Sequence, residues 1–525
     1  MQKIASILFR FGSVSVAGLA LACGSRESSG PGGSAGNAGA GTGSCKFTID
    51  ALTADQAGPG GIPTVGIVNW SVDRTDLTAA SIEFGLAGGV SMTAPVDVAT
   101  GPNFRTLLLG MKGSKTYTYR VKVTGASDSC TSEEQTITTG AVPNAVPRIT
   151  RTAGPAVASQ ARGFIIGSSG IGSSGIDGSG SGGIPAFGGA PGFGGAPGFG
   201  GAPGFGGAPG FGGAPGFGGA PGGGLGGDGT AYAFILDADG DPVWWTEAPA
   251  SCSRAKLSFD GQYVWMVNLN VGNAVKDGGE VARVSLDGLT RTRNIPGLSN
   301  CHHDLTILPD GRVACLSWAQ QPGDQPSDLL EGDDQGNVTK IVTLDSSVYA
   351  GGPGGGFVGS SYHANSIHYH PSDDSYTFGD RNPSVYLKIS RAGEPLWQFG
   401  GDCTDAKAPQ CVGGDWKVNH GHDLLDDGTF LLFSNGQSGA STAFFYQLSE
   451  SGTFTATQTG MYSPGTTSSV LGDVQRLPNG NTLVAFSTAS KIDEIDPEGA
   501  LVQSISGPGG YAEWRETLYG PPPRF

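Results

Sequence analysis

Basic residues are scarce in this chain of 525 residues, and several familiar motifs are missing from it. Lys and Arg number 30 against 46 Asp and Glu, which gives a formal net charge of −16. This balance disfavours a general nucleic-acid binder, although a local group of Arg and His can still act on an anion. No Cys-x-x-Cys pair occurs, so a structural zinc site is not expected. Beyond the amino terminus, no run approaches the ~20 apolar residues of a membrane span.

The first 22 residues have the pattern of a bacterial lipoprotein signal peptide. Lys3 precedes an apolar run interrupted by Arg10, and Ala-Leu-Ala precedes Cys23. Cys23 would be lipidated after cleavage, and residues 23–44, rich in Gly and Ser, would form a flexible tether. An ordinary signal peptide with an incidental Cys is the alternative. The pattern predicts an exported protein anchored by lipid to a bacterial membrane, in the periplasm or at the cell surface.

Export also predicts disulfide bonds among the seven remaining cysteines. Three pairs are expected: Cys45–Cys130, Cys403–Cys411 and Cys252–Cys301. Cys315 would then remain unpaired, buried in the strand "GRVACLSW".

Residues 45–145 alternate apolar and polar positions between frequent turn signals, which predicts a small β-sandwich. The stretch "LLLGMKGSKTYTYRVKV" resembles the late strands of a fibronectin type III domain. We expect this domain to space or present the next one.

The composition of residues 168–229 is dominated by Gly, Ser and Pro, with six-residue "PGFGGA" repeats. Such a segment cannot offset its ordering entropy and is predicted to be disordered. Strand-like stretches flank it, "GFIIGSS" before and "AYAFILDADGDPVWW" after. We therefore expect a long loop between neighbouring strands of one sheet, since the closure cost of a loop grows only logarithmically. A linker between independent domains is the alternative.

Hairpin signals dominate the remaining chain, as in "KLSFDGQYVWMV", "LLDDGTFLLF" and "QRLPNGNTLVAF". No helical periodicity is convincing, and the turns recur at a spacing that suits four-stranded propeller blades. The fold class is therefore all-β: a six-bladed β-propeller over residues 146–525, with the Gly-rich insertion, preceded by the fibronectin III-like sandwich. The "DADGD" at 237–241 lacks the downstream Glu of a calcium loop and is expected to be a plain hairpin turn.

All seven histidines lie in three clusters, "CHHDL", "YHANSIHYH" and "NHGHDLL", each just before a strand. Strand starts of successive blades can converge at one mouth of a propeller channel, so we expect a shared site. Metal binding is one interpretation, because imidazole suits zinc, copper and iron. Arg381 in "FGDRNPSV" favours the other, acid–base or nucleophilic chemistry on an anionic group.

The ordered segments "HHDLTILPDG", "HANSIHYHPSDDSYTFGDRNPSVYLKI", "HDLLDDGTFLLFSNG" and "LGDVQRLPNGNTLVAFSTASKIDEIDPEGALV" together resemble the bacterial arylsulfate sulfotransferase family. The resemblance implies a six-bladed, exported propeller. It also implies an enzyme that moves a sulfuryl group from a phenolic sulfate ester to a phenol, with neither a nucleotide sulfate donor nor another cofactor. A transiently sulfated histidine is implied as the nucleophile.

Matched to the family's motifs, His422 takes the role of nucleophile, and His303 and His363 bind the sulfuryl oxygens or assist proton transfer. Arg381 matches the sulfate-binding arginine, and Asn365 is expected to orient the loop or donate a hydrogen bond. His420 would lie one step back from the site, as a supporting or packing residue. The sequence departs from the family in "NHGHD", where Gln usually precedes His-Asp, and in the sandwich and the insertion.

Two other functions compete with the sulfotransferase hypothesis. One is a non-catalytic, surface-anchored propeller for binding or adhesion, and the other is a metal-dependent enzyme with histidine ligands. The sequence leaves open which phenols are used and whether the protein forms a homodimer.

Overall fold

The computed structural model describes residues 45–87, 92–146, 149–156, 160–169, 231–249, 251–269, 278–319, 326–352, 361–436 and 439–522. The predicted signal peptide, Cys23, the tether and nearly all of the Gly-rich insertion lie outside these ranges. In the described ranges, helix is limited to α1 (Ala54–Ala57) and two 3-10 turns (Val98–Thr100 and Ser487–Ala489). The all-β class is therefore confirmed. No helix within these ranges is long and apolar enough to cross a membrane.

The first strands form two sheets that share one core. Strands β1 (Phe47–Thr53), β2 (Gly66–Val72) and β5 (Phe104–Leu108) make one sheet, and β3 (Ala79–Leu86), β4 (Met92–Val96), β6 (Thr116–Thr124), β7 (Ser129–Thr131) and β8 (Gln135–Thr138) make the other. Every second residue of β6 is buried, as a half-buried strand requires. Trp70 of one sheet stacks on Phe104 at 4.3 Å and shares the core with Tyr119 of the other.

The next strands in the chain belong to three antiparallel groups. Strand β9 (Thr150–Ala153) comes first and pairs elsewhere. The strands of the three groups are β10 (Phe164–Ser168), β11 (Ala231–Asp237), β12 (Pro242–Ala248), β13 (Ser251–Leu257), β14 (Tyr263–Leu269), β15 (Gly279–Ser285), β16 (Arg291–Thr292), β17 (Cys301–Ile307), β18 (Val313–Trp318), β19 (Ser327–Gly332) and β20 (Val338–Leu344). Strands β10–β12 form the first group, β13–β16 the second and β17–β20 the third. In the described ranges, the sheet pairing between the second and third groups consists of one position, Gly279 opposite Cys301.

Three further groups follow. Their strands are β21 (Ala364–His370), β22 (Ser375–Asp380), β23 (Val385–Ser390), β24 (Pro395–Gly400), β25 (Cys411–Val412), β26 (Asn419–Leu424), β27 (Thr429–Ser434), β28 (Thr442–Ser449), β29 (Thr455–Tyr462), β30 (Asp473–Arg476), β31 (Thr482–Phe486), β32 (Lys491–Ile495), β33 (Leu501–Ser506) and β34 (Gly509–Arg515). Strands β21–β25 form the fourth group, β26–β29 the fifth and β30–β33 the sixth. The last strand, β34, pairs with β10 of the first group, and β9 pairs with β33 of the sixth.

One strand from each group contributes to a closed ring. In cyclic order, β34, β13, β17, β21, β26 and β30 each contact the next, and β30 contacts β34 again. The chain therefore closes on itself, because its last strand completes the first group. All three histidine motifs lie on the inner strands β17, β21 and β26 or directly before them.

The strands on either side of the Gly-rich insertion are neighbours. Strand β10 pairs antiparallel with β11, from Phe164 opposite Asp237 to Ser168 opposite Ala233. The two flanking strands therefore belong to one sheet, as a loop between neighbouring strands requires, while the insertion itself lies outside the described residues.

The sandwich is fixed against the ring by charge and by packing. The Lys112 ammonium lies 2.7–3.1 Å from the carboxylates of Asp237, Asp239 and Asp241 in the "DADGD" turn. Tyr519 accepts a hydrogen bond from the Leu109 N–H at 2.9 Å. A lysine side chain therefore lies where a calcium ion would bind in a complete loop.

Three disulfides occur in the described ranges. Cys45–Cys130 and Cys403–Cys411 are paired as predicted. The predicted Cys252–Cys301 pair is wrong, since Cys301 is bonded to Cys315. These two cysteines lie on the adjacent strands β17 and β18 with Cα atoms 6.0 Å apart, whereas Cys252 is buried unpaired on β13. Strand adjacency decides the pairing, and the order of cysteines along the chain does not reveal it.

Candidate active site

In the structure, the seven histidines of the three sequence motifs form two spatial clusters. What we call the first cluster contains His302, His303, His363 and His420, and the second cluster contains His368, His370 and His422. Each group combines residues from more than one sequence motif, because successive inner strands lie side by side.

A chain of hydrogen bonds links three imidazoles of the first cluster. The Nδ1 atoms of His302 and His303 are 2.8 Å apart, and the Nε2 atoms of His303 and His363 are 3.3 Å apart. His302 also stacks on Trp318 at 3.9 Å, and its Nε2 contacts the Ser327 hydroxyl at 2.9 Å. The His303 ring lies 4.9 Å from that of His363 and 6.1 Å from that of His420.

Local backbone irregularity turns these side chains inward. His303 has φ +58°, and the pairing of β17 with β18 shifts register between His302 and Leu305. A similar shift interrupts β26 between Asn419 and His422. Alternation across a regular strand would give residues two apart the same surroundings. The bulge breaks that rule, so His420 and His422 belong to different clusters.

His420 projects into the first cluster with one nitrogen held and the other unbonded. Its Nδ1 is hydrogen-bonded to Oδ1 of Asn435. Its Nε2 is buried and has no hydrogen-bond partner among the described residues. The side chain is 1% exposed, so an unbonded nitrogen here is costly unless a ligand contacts it.

His422 lies outside the first cluster. Its Nδ1 is 2.9 Å from the Ser366 hydroxyl and its Nε2 is 2.8 Å from that of Thr377. Its ring packs 4.7 Å from His368 and 4.9 Å from Tyr386. Both ring nitrogens are therefore engaged with hydroxyl groups of the neighbouring strands.

Arg381 and Asn365 take positions around the first cluster. Arg381 is half-buried directly after β22; its backbone N–H donates to the His363 carbonyl at 3.1 Å, and its guanidinium Nε donates to Oδ1 of Asn382 at 3.2 Å. Its charge lowers the pKa of His303, His363 and His420, after the larger effect of burial. Asn365 donates through Nδ2 to the Asn419 carbonyl at 2.8 Å, while its buried Oδ1 has no partner among the described residues.

The imidazoles of the first cluster are neutral at ordinary pH. Burial, followed by the charge of Arg381, lowers the pKa of His303 to about 3. Burial also lowers the pKa of His302, His363 and His420 well below 6.5. The site thus presents neutral nitrogen bases beside one permanent cation, a combination suited to an anionic group that must be attacked by a neutral nucleophile.

A family model described as Arylsulfotransferase (ASST) matches residues 224–506. The chain belongs to the arylsulfotransferase family. It is therefore an aryl sulfotransferase, and the family implies small phenolic molecules as substrates. None of the curated proteins compared with this arylsulfotransferase matches it.

Several solved structures resemble the arylsulfotransferase at low similarity. A Bacteroides thetaiotaomicron protein of unknown function is 12% identical with a TM-score of 0.34, covering 89% of this chain and 98% of its own. A streptogramin B lyase is 13% identical with a TM-score of 0.33, covering 53% and 79%. The virginiamycin B lyase of Staphylococcus aureus is 13% identical with a TM-score of 0.32, covering 52% and 80%.

A buried ion-pair network lies beside the histidines of the arylsulfotransferase. Arg254 donates to both carboxylate oxygens of Asp304, at 2.6 and 3.1 Å, and to Asp473 at 2.6 Å. Asp304 also accepts the Ile367 N–H at 3.1 Å. The network therefore ties four inner strands, β13, β17, β21 and β30, among them β17, which carries His302 and His303.

The sequence motifs predict no role for His302 and Asn435 and only a supporting or packing role for His420. One signal could have found His420. It and His303 each stand eight residues before a turn glycine, Gly428 and Gly311, whose φ angles are +85° and +86°. Counting eight residues back from these equivalent turns therefore aligns His420 with His303. Matching by the His-Asp pair aligns His422 with His303 instead.

The metal hypothesis for the histidines has no matching geometry in the described ranges. There, the one group of three or more side chains whose ligand atoms converge is Asp237, Asp239 and Asp241. Those carboxylates already surround Lys112.

Proposed function

We propose that this aryl sulfotransferase moves a sulfuryl group from a phenolic sulfate ester to a phenolic acceptor through a transiently sulfated histidine. It would need no nucleotide donor and no other cofactor. The observation that carries the proposal is the unbonded, buried Nε2 of His420, in a cluster of neutral imidazoles under the field of Arg381. Sulfuryl transfer spreads charge over non-bridging oxygens, so fixed cations and donors supply much of the catalysis.

His422 was predicted as the nucleophile, and that role stays a prediction. Two observations favour His420 instead. The nitrogens of His422 contact Ser366 and Thr377, whereas Nε2 of His420 has no partner among the described residues. Burial, then the charges of His303 and Arg381, lower the pKa of His420, whereas His422 lies in the second cluster with His368 and His370.

The reaction has two displacements. In the first, the lone pair of the nucleophilic imidazole attacks sulfur, the S–O bond to the aryl group breaks, and the phenolate leaves with the electron pair. In the second, the phenolic acceptor gives its proton to a neighbouring imidazole and attacks the same sulfur, and the N–S bond breaks. His303 and His363 are the proton carriers of this proposal, since their Nε2 atoms are 3.3 Å apart within the cluster. Arg381 would bind the sulfuryl oxygens and Asn365 would orient the loop.

The setting of the site completes the proposal. The closed ring of six inner strands supports a six-bladed β-propeller, and the two sheets of residues 47–138 support a fibronectin III-like sandwich that spaces it. Lipid attachment at Cys23 and anchoring to a bacterial membrane rest on the N-terminal sequence alone. A surface propeller that only binds or adheres is the competing outcome.

Trapping the intermediate tests the proposal. The enzyme is incubated with an aryl sulfate in the absence of acceptor, digested after Lys417, and fragmented by mass spectrometry between His420 and His422. We expect a single sulfuryl adduct on His420 in wild type and in His422→Asn, and none in His420→Asn. An adduct on His422 would restore the original assignment. Absence of any adduct, together with unchanged phenol release in both variants, would refute the sulfohistidine mechanism.

A further inference from the structure

Asn435, directly after β27, contacts the cluster through a single atom. It is 4% exposed, and its Oδ1 is hydrogen-bonded to Nδ1 of His420. We propose that Asn435 is a positioning residue that fixes the tautomer of His420, with hydrogen on Nδ1 and the lone pair on Nε2. The catalytic meaning of this inference rests on the proposed function, whereas the tautomer itself does not.

The orientation of the Asn435 amide follows from its other contacts. Its Nδ2 lies 2.6 Å from the Ser468 carbonyl oxygen and 2.7 Å from that of Leu471. Carbonyl oxygens only accept, so the amide NH₂ must face them, and both of its hydrogens are used. A flipped amide would place its oxygen against two carbonyl oxygens in a buried site. The amide oxygen therefore faces His420.

The backbone around Asn435 holds this arrangement. Its N–H donates to the Val418 carbonyl at 2.9 Å, two residues before His420. The Ser441 hydroxyl binds the Ser468 carbonyl at 3.1 Å and accepts the Ser468 N–H at 2.9 Å. The acceptors of the amide are thus fixed, and His420 and Asn435 cannot separate without breaking backbone hydrogen bonds.

An amide oxygen only accepts, so Nδ1 of a neutral His420 must carry the hydrogen. The lone pair is then on Nε2, the nitrogen without a partner among the described residues. An amide suits this purpose better than a carboxylate would. A carboxylate in place of the amide would stabilise the imidazolium form and raise the pKa of His420, so the neutral nucleophile would be lost. A neutral amide orients the ring and leaves it neutral.

The test compares Asn435→Ala and Asn435→Asp with Asn481→Ala, a matched loss of a buried asparagine that bonds Glu494 away from the histidines. Selective ¹⁵N-histidine labelling reports the His420 tautomer without substrate, assigned by loss of its signals in His420→Asn. Quenched-flow mass spectrometry gives the single-turnover sulfation rate. Thermal unfolding checks that each variant is folded.

We expect hydrogen on Nδ1 in wild type and in Asn481→Ala, and a mixture of tautomers in Asn435→Ala. The sulfation rate of Asn435→Ala should fall on the order of 10²-fold, the loss typical of a misplaced reacting group. In Asn435→Asp the acid limb of the rate should move to higher pH, which lost packing alone would not produce.

An Nε2–H tautomer in wild type would overturn the inference. So would a tautomer and rate in Asn435→Ala that match wild type. If Asn435→Ala does not fold, the wild-type tautomer and the pH profile of Asn435→Asp still decide. Failure of the proposed function looks different: wild type would show the Nδ1–H tautomer and form no adduct.

Discussion

Replacing Arg254 with Met would leave two carboxylates buried without their cation. The Arg254 side chain is 1% exposed, and those of its partners Asp304 and Asp473 are 0% and 5% exposed. The guanidinium also lies 4.3 Å over the Tyr511 ring. Burial disfavours the charge on Arg254, but the two carboxylates outweigh this, and its pKa is raised. Met fills most of the volume and removes only the charge and its hydrogen bonds.

The expected loss follows from the geometry. Removing one partner of a buried ion pair typically costs about 3–5 kcal/mol, because the remaining charge stays desolvated. Here Asp304 keeps the Leu305 and Ile367 N–H donors and Asp473 keeps that of Val474, which places the loss within this range and not above it. Burial already raises the pKa of Asp473, and loss of the Arg254 charge that counteracts this raises it further. The folded variant then binds protons more readily than the unfolded chain, so its deficit should shrink as the pH falls from 7 to 5.

Urea unfolding at pH 7 and pH 5 measures both effects. Arg120→Met is the control, since Arg120 pairs with Glu134 at 3.6 Å and the two side chains are 51% and 55% exposed. That variant should lose no more than about 1 kcal/mol at either pH. Arg254→Met/Asp473→Asn should recover part of the stability. A loss below about 1 kcal/mol in Arg254→Met, or a deficit that grows toward pH 5, would refute the reasoning.

Two further predictions concern the sandwich contact and the acid sensitivity of the cluster. Lys112→Met should lower the free energy of unfolding by about 1 kcal/mol, since partly exposed ion pairs contribute little. Ca²⁺ should raise the thermal stability of this variant, because three carboxylates are freed to bind it, and should not raise that of wild type. An equal response of the two proteins to Ca²⁺ would contradict this prediction. His303 has a pKa of about 3 in the folded protein against about 6.5 in the unfolded chain. Because the unfolded chain binds the proton more readily, the free energy of unfolding carries no penalty from His303 above pH 6.5 and decreases as the pH falls from 6.5 toward 3. Urea unfolding of His303→Asn between pH 6.5 and 4 should therefore show a pH slope shallower than that of wild type by about 1.4 kcal/mol per unit. An unchanged slope would show that His303 is not held neutral.

Several parts of the fold could be predicted because their signals are local. Glycines with positive φ, such as Gly311 and Gly428, punctuate the chain at hairpin turns, and alternation marks the strands between them. The stretches that flank the Gly-rich insertion both have the composition of strands, and the strands that they form, β10 and β11, pair with each other. His303 and His363 could be assigned to one site because each stands at a strand entrance.

Other features depend on contacts between distant strands. The Cys301–Cys315 pair follows from the adjacency of β17 and β18, which cysteine spacing does not encode. Which of His420 and His422 joins the first cluster depends on the bulge after Asn419, because alternation along a regular strand would place both in one cluster.

The linear chain suffices to predict the all-β class, the hairpin turns, the histidine motifs and the resemblance to arylsulfotransferases, because turn residues, side-chain alternation and motif order are local properties. Which histidines share a cluster, what Asn435 contacts and which carboxylates Arg254 neutralises depend on the folded arrangement. Burial, hydrogen-bond geometry and electrostatic fields arise when residues far apart in sequence are brought together. His420 and Asn435 are 15 residues apart, and Arg254 and Asp473 are 219 apart, yet each pair is in direct contact.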